Sequence, residues 1–356
     1  MTNDNQPMVE ATENAGFQWR RIMPSLVFGL TILAVLIVTS IIIILVGGNP
    51  IEAYKALVIG AFGSKRAITE TILQATPLLI IAIGLVLAFR SKMWNIGAEG
   101  QYMIGALCGT WVALTWGDNL PAVVIIPLMF IAGAIGGGLW GAIPGILKAK
   151  RGLSEIVVSL MLNFVAFYIV AFLSRGPMKD PEYFLPKTAS LPEAAILPYL
   201  GDTRIHIGVL VAIAVSVIGY VILWRTTLGY ELRAVGANAP AAEAAGINVP
   251  RSMITVMVLS GMFAGLAGIV EVAGVHHHLS QEIAIRYGYT AILVAILGQL
   301  NPFGVLAAAF FFASLQIGAD YMHRVVNLQK ALVGFIQATL VLFYLAGAEL
   351  SKRLGR

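Results

Sequence analysis

From Ile22 onward the chain is a series of apolar stretches separated by short polar breaks. The first, IMPSLVFGLTILAVLIVTSIIIILVGG, is already longer than one bilayer crossing requires. A hydrocarbon layer about 30 Å thick takes roughly 20 apolar residues in helical form. The form must be helical because the backbone there satisfies its own hydrogen bonds. Runs of this kind recur as far as residue 348. Of the 356 residues, 58% are hydrophobic and 12% charged, against about 25% charged in a soluble domain. The fold class is therefore an all-α polytopic membrane protein, and length translates into spans rather than soluble domains. The first run is too long for a signal-peptide core and lacks a small-x-small cleavage site, so it reads as a retained first span.

About ten transmembrane helices can be drawn, near 22–46, 68–89, 96–116, 121–147, 154–174, 206–224, 253–273, 286–298, 302–319 and 329–348. Gly and polar residues thin the hydrophobicity at 90–100 and 274–300, the pattern of broken or re-entrant segments. An even number of spans puts both ends on one side. Of the 23 Lys and Arg, thirteen then fall on inner segments and ten on outer ones. The tight KAKRG turn and the SKRLGR tail point the same way, giving an N-in, C-in orientation. The expected organisation is a tail at 1–21, a transmembrane domain at 22–348 and a second tail at 349–356. An external Pro-rich loop occupies 175–205, and a cytoplasmic loop occupies 225–252. The net charge of +5 is scattered between apolar runs; it carries topology and not a nucleic-acid surface. The single Cys108 allows no disulfide framework and reads as a small core hydrophobe.

One stretch interrupts the oil. In ANAPAAEAAGINVP, residues 237–250, Asn238 is placed to cap a helix and Pro240 sits in its first turn, where a missing N–H costs nothing. Gly246 stops the helix and Pro250 prevents a restart. About seven residues at 1.5 Å each give a helix near 10 Å long, marginal unless something holds it. Its surface is small, with Ala241, Ala242, Ala244 and Ala245 around one charge, Glu243. A loop helix closing a bundle would suit these residues, and so would a plug for a partner's groove.

GANAPAAEAAGINV resembles the cytoplasmic coupling-helix signature of permease subunits in binding-protein-dependent ABC importers. MWNIGAEGQYMIGA (93–106), SEIVVSLMLNFVA (154–166), SGMFAGLAGIVEVAG (260–274) and AILVAILGQLNPFGVLAAAFFF (291–312) agree with it in order. The branch is the one that moves ribose-like sugars, nucleosides and branched-chain amino acids. NIGAEGQ at 95–101 is most similar to its nucleoside members. The resemblance implies a multi-pass protein of the bacterial inner membrane, contacting lipid, that forms the translocation pathway for a small polar solute. An external binding protein, periplasmic or lipid-anchored, would deliver the solute, and a second permease subunit would complete the pathway as homo- or heterodimer. Residues 238–246 would dock into a cytoplasmic ATPase through Gly236, Asn238, Pro240, Ala242, Glu243, Gly246 and Ile247. ATP and Mg would be bound by that ATPase. The chain has no G-x-x-x-x-G-K-[ST] of its own, and GAFGSKR at 60–66 has the wrong spacing.

Polar residues inside apolar spans are expensive and mark candidate pathway positions. Trp94, Asn95, Glu99 and Gln101 gather at the start of the third span, where Trp94 offers a face for a flat base. Equally, Asn95 suits a helix cap, and Asn163 suits an interhelical hydrogen bond. Glu271 suits substrate contact or a salt bridge, and Gln281 and Tyr287 belong to the candidate re-entrant segment. Consecutive His276, His277 and His278 point in different directions and lack ligand spacing, so no metal site is expected. Gln299 and Asn301 form a tight turn with Pro302, and Glu155 pairs with Lys150 at a helix start. No nucleophile–base–acid set can be assembled, so the chain is not expected to be an enzyme. Sugar and branched-chain amino-acid permeases remain alternatives. An ion-coupled secondary transporter or channel is the rival class, with Glu99, Glu271 and Asp320 as its intramembrane carboxylates.

Overall fold

The computed structural model describes residues 29–354 apart from 31, 183, 185, 284, 285 and 330. The tail expected at 1–21 and the first part of the first span lie outside the described residues. The described residues are 79% helical and include no β-strand. Its internal packing divides it into two compact units, residues 1–60 with 318–356, and residues 61–317.

In the first unit, α1 (Ile32–Leu45) and α2 (Pro50–Phe62) meet at 113° across a short break. Tyr54 of α2 hydrogen-bonds Thr39 and the Leu36 carbonyl of α1. Helix α2 was not foreseen, because thirteen residues carrying Glu52 and Lys55 fall below the length and apolarity of a span. The first unit also holds the end of α12 and α13 (Ala331–Leu354), which continues into the segment expected as a tail.

The second unit runs α3 (Lys65–Arg90), α4 (Ala98–Trp116), α5 (Ala122–Arg151), α6 (Glu155–Arg175), α7 (Gly208–Arg225), α8 (Thr227–Ala237), α9 (Ala239–Ala244), α10 (Val249–Glu271), α11 (Tyr287–Leu297) and most of α12 (Pro302–Val326). At its centre α10 packs on α3, α4 and α5. Glycines let these backbones touch. A Cβ on Gly105 would lie 2.1 Å from Gly265 Cα, and one on Gly137 would lie 2.2 Å from the Gly261 carbonyl. Close approach of this kind is how membrane helices associate where lipid removes the hydrophobic drive.

Among the described residues six helices, α3, α5, α6, α7, α10 with its following turn, and α12, are long and apolar enough to cross a membrane. Helices α1 and α2 make a seventh if taken as one broken span. Helix α4 is absent from that set because Glu99, Gln101 and its glycines lower the apolarity of its nineteen residues. The thinned segment after Gly274 resolves into a π-turn, Val272–His276, a loop, and α11. With eleven residues α11 is about 16 Å long, half a hydrocarbon layer.

The loop between α6 and α7 is ordered by backbone bonds to the segment after α10. Thr188, Leu191 and Leu197 donate to the carbonyls of Leu279, His277 and Ala273 at 2.8–3.0 Å. His206 ends this loop fully buried; its Nδ1 accepts from Gly208 N–H at 3.1 Å and its Nε2 has no partner. Burial, then His277 nearby, pushes the His206 pKa down to about 4.

Candidate functional site

Six of the eight polar and aromatic residues singled out in the sequence are buried in one connected region. Asn95 and Gln101 face each other as a reciprocal amide pair. Asn95 Nδ2 donates to Gln101 Oε1 at 2.8 Å, and Gln101 Nε2 returns a bond to Asn95 Oδ1 at 3.1 Å. Asn95 also donates to Ser260 of α10 and accepts from Gly97 N–H, the local turn that starts α4. All four of its capacities are used, and the residue is fully buried.

Asn163 of α6 holds the same turn from the other side. Its Oδ1 accepts from Gly100 N–H at 2.9 Å, and its Nδ2 donates to the Ile96 carbonyl and to Tyr289 of α11. Glu99 reaches the start of α11, where Gly288 N–H bonds its carboxylate at 2.6 Å. A carboxylate on free N–H groups at a helix start is favourable both as a cap and against the helix dipole.

Toward the other end, Tyr287 Oη stands 2.9 Å from Gln74 Oε1 of α3 and 3.2 Å from Glu271 Oε1 of α10. One phenol proton serves two acceptors, so the amide and the carboxylate compete for it. His276 Nε2 approaches Glu271 at 3.4 Å, an ion pair only when the imidazole is protonated. Tyr102 packs against Tyr287 with ring centroids 5.7 Å apart. The remaining two residues reach the surface. Trp94 is 44% exposed and leans on Phe89, and the half-buried Gln281 accepts from Arg175 at 2.8 Å.

Sequence reasoning missed Ser260, Gln74 and Tyr289. Gln74 carried the same signal as Asn163, an amide inside an apolar run; Ser260 and Tyr289 are too ordinary in such runs to stand out. The partner of Glu155 is Lys148, at 3.0 Å, and not Lys150. Helix α5 continues through the KAKR segment to Arg151, and the helical spacing there brings Lys148 to the start of α6. The turn at Gln299–Asn301 forms as expected, with Gln299 and Leu300 at positive φ and Asn301 capping α12 through Phe303 N–H. Among the described residues no group of three or more His, Cys, Asp or Glu side chains is placed to hold a metal ion.

The short helix is built as its residues require. Asn238 Oδ1 accepts from Ala241 N–H at 3.2 Å, and Pro240 lies in the first turn. At the far end Ile247 N–H bonds the Ala242 carbonyl and Gly246 N–H bonds the Glu243 carbonyl, a complete Schellman motif. Gly246 takes φ +87°, a left-handed conformation that costs glycine nothing. Ala242, expected on the surface, is instead buried, because it packs with Val235, Ile247 and Val249 to hold the helix. Gly236 is buried too, facing the end of α3. The exposed face is Pro240, Ala241, Glu243, Ala244 and Ala245.

The described residues thus combine an all-helical apolar bundle, a buried hydrogen-bonded network and a small capped surface helix. The chain belongs to the family described as branched-chain amino acid transport system / permease component, whose model matches residues 67–345. It is the transmembrane subunit of an ABC importer. It is similar to the glucose ABC transporter permease of Haloferax volcanii, 37% identical across 94% of this chain and 91% of that one. It also resembles the guanosine ABC transporter permease of Bacillus subtilis, 35% identical across 85% and 88%. A nucleoside ABC transporter permease of Lactococcus lactis is 36% identical across 80% of each chain. No solved structure matches.

Proposed function

We propose that this permease passes a nucleoside or nucleobase-like solute inward, received from an external binding protein and driven by ATP hydrolysed on a separate cytoplasmic subunit. The observation that carries the coupling part is α9, capped at both ends and anchored through Ala242, with an exposed face of small residues around Glu243. A face without long side chains admits close approach by a partner's groove. In this reading the chain is N-in, C-in, and α9 lies with the 225–252 loop and the KAKR segment on the cytoplasmic side of a bacterial inner membrane.

Relatives named for guanosine and nucleosides support the solute class. Bacillus subtilis and Lactococcus lactis each hold a second relative named for the same solute, at 28% and 26% identity. That pattern supports a second permease chain that is a divergent relative and not a copy. The eight residues mark where the pathway runs: Trp94 and Gln281 present surface to it, and the buried six hold the helices at its wall. The glucose permease relative favours a sugar as the second reading. Uptake of labelled guanosine and glucose into vesicles holding both permeases and the ATPase, with binding protein outside, decides between them. ATP-dependent uptake of glucose but not guanosine would overturn the nucleoside reading.

A further inference from the structure

Helix α3 ends in the same motif as α9, with a different residue at its critical position. Met93 N–H bonds the Ala88 carbonyl and Lys92 N–H bonds the Phe89 carbonyl, both at 3.0 Å. The left-handed residue, at φ +56°, is Lys92 and not glycine. A side chain there strains the backbone, so the lysine needs a reason. Its Nζ lies 3.4 Å from the carbonyl of Ala237, the last residue of α8. A cation at a helix C-terminus meets the negative end of the dipole, and Ala237 adjoins the cap of α9.

A second contact joins the same two elements without side chains. Gly236 lies so close to the end of α3 that a Cβ there would fall 1.9 Å from the Arg90 carbonyl. Trp224, at the end of α7, is flanked by the guanidinium groups of Arg90 at 5.5 Å and Arg233 of α8 at 4.6 Å from its ring centre. Arg90 Nε also donates to the Leu300 carbonyl at 3.1 Å. Beyond the grip the chain enters the polar network at once, through Asn95, Ile96 and Glu99.

We infer that the α3–α4 elbow, gripped by Lys92 and Gly236, carries displacement of α9 into the buried network, making both residues positioning residues of the transport cycle. This rests on the reading that α9 docks on the ATPase. Helix α10 offers a longer route, from Val249 packed with Ala242 to Ser260 bonded to Asn95, whereas the elbow runs from the Lys92 contact with Ala237 to Asn95 within residues 91–97.

Hydrogen–deuterium exchange on the assembled complex tests it, with and without trapping by ATP and vanadate. In the native complex, exchange changes on trapping in both 238–246 and 93–101. In Lys92→Gly, which relieves the left-handed strain, the complex melts no lower than the native one. There the response of 93–101 falls by about half or more while that of 238–246 persists. Lys92→Arg, which keeps the cation, restores it, and Gly236→Ala reproduces the loss. An undiminished response of 93–101 in Lys92→Gly overturns the inference, as does no response there in the native complex. Absence of any protection of 238–246 by the ATPase would instead sink the docking reading.

Discussion

Gly246 carries a sharp single-residue requirement, since φ +87° excludes a β-branched side chain although the space around it is open. Gly246→Val is expected to unwind the end of α9 and cut ATP-driven uptake by about tenfold or more, while membrane insertion stays normal. Uptake and blotted membrane levels measure the two effects separately. Reversing the only charge on the exposed face, Glu243→Lys, should weaken co-purification of the ATPase partially and in a salt-dependent way, as exposed pairs are worth about 0–1 kcal/mol. His206 gives a pH dependence whose sign follows from its burial. Its folded-state pKa of about 4 lies below the ordinary 6.5. The unfolded chain therefore takes up the proton first, and stability falls as pH drops from about 6.5 to 4 by up to roughly 3 kcal/mol. His206→Asn keeps an acceptor for Gly208 N–H and removes the titration. Melting temperature against pH should therefore be flatter over that window in the variant, and an unchanged slope would refute the assignment.

At the scale of elements, the turn that starts α4 is held by amides rather than by apolar contact. Asn163→Ala leaves Gly100 N–H and the Ile96 carbonyl without their buried partner. The expected cost is about 1–3 kcal/mol, read as a lower melting temperature in detergent. Sequence reasoning found these residues by the expense of polar groups in apolar runs, but that rule cannot say whether a group faces a cavity or a neighbouring helix. Asn95 shows the gap: its reciprocal bond with Gln101 depends on the five intervening residues folding back, which no single position announces. The bounds of helix α9 were legible because caps, Pro240 and Gly246 are local signals, but the burial of Ala242 was not, since it depends on Val235 and Val249 from neighbouring elements. Helix α2 was not, since its charged residues hide a bent segment whose burial is tertiary.

For the whole molecule, orientation is the testable property. In a Cys108→Ala background, a cysteine at position 184, where Phe184 is 96% exposed, should label in intact cells with a membrane-impermeant maleimide. A cysteine at position 150 should label only after permeabilisation. The reverse pattern would invert the proposed topology.

The glycine contacts joining α4, α5 and α10 also constrain how the molecule moves. Where backbones touch directly, at Gly105 on Gly265 and Gly137 on Gly261, no side chain stands between the helices to change rotamer and absorb a tilt. Prying the helices apart would expose carbonyls and open a void with nothing to fill it. These three helices are therefore a single lever in any transport cycle, and the give must come from their ends, where turns and loops replace the seam.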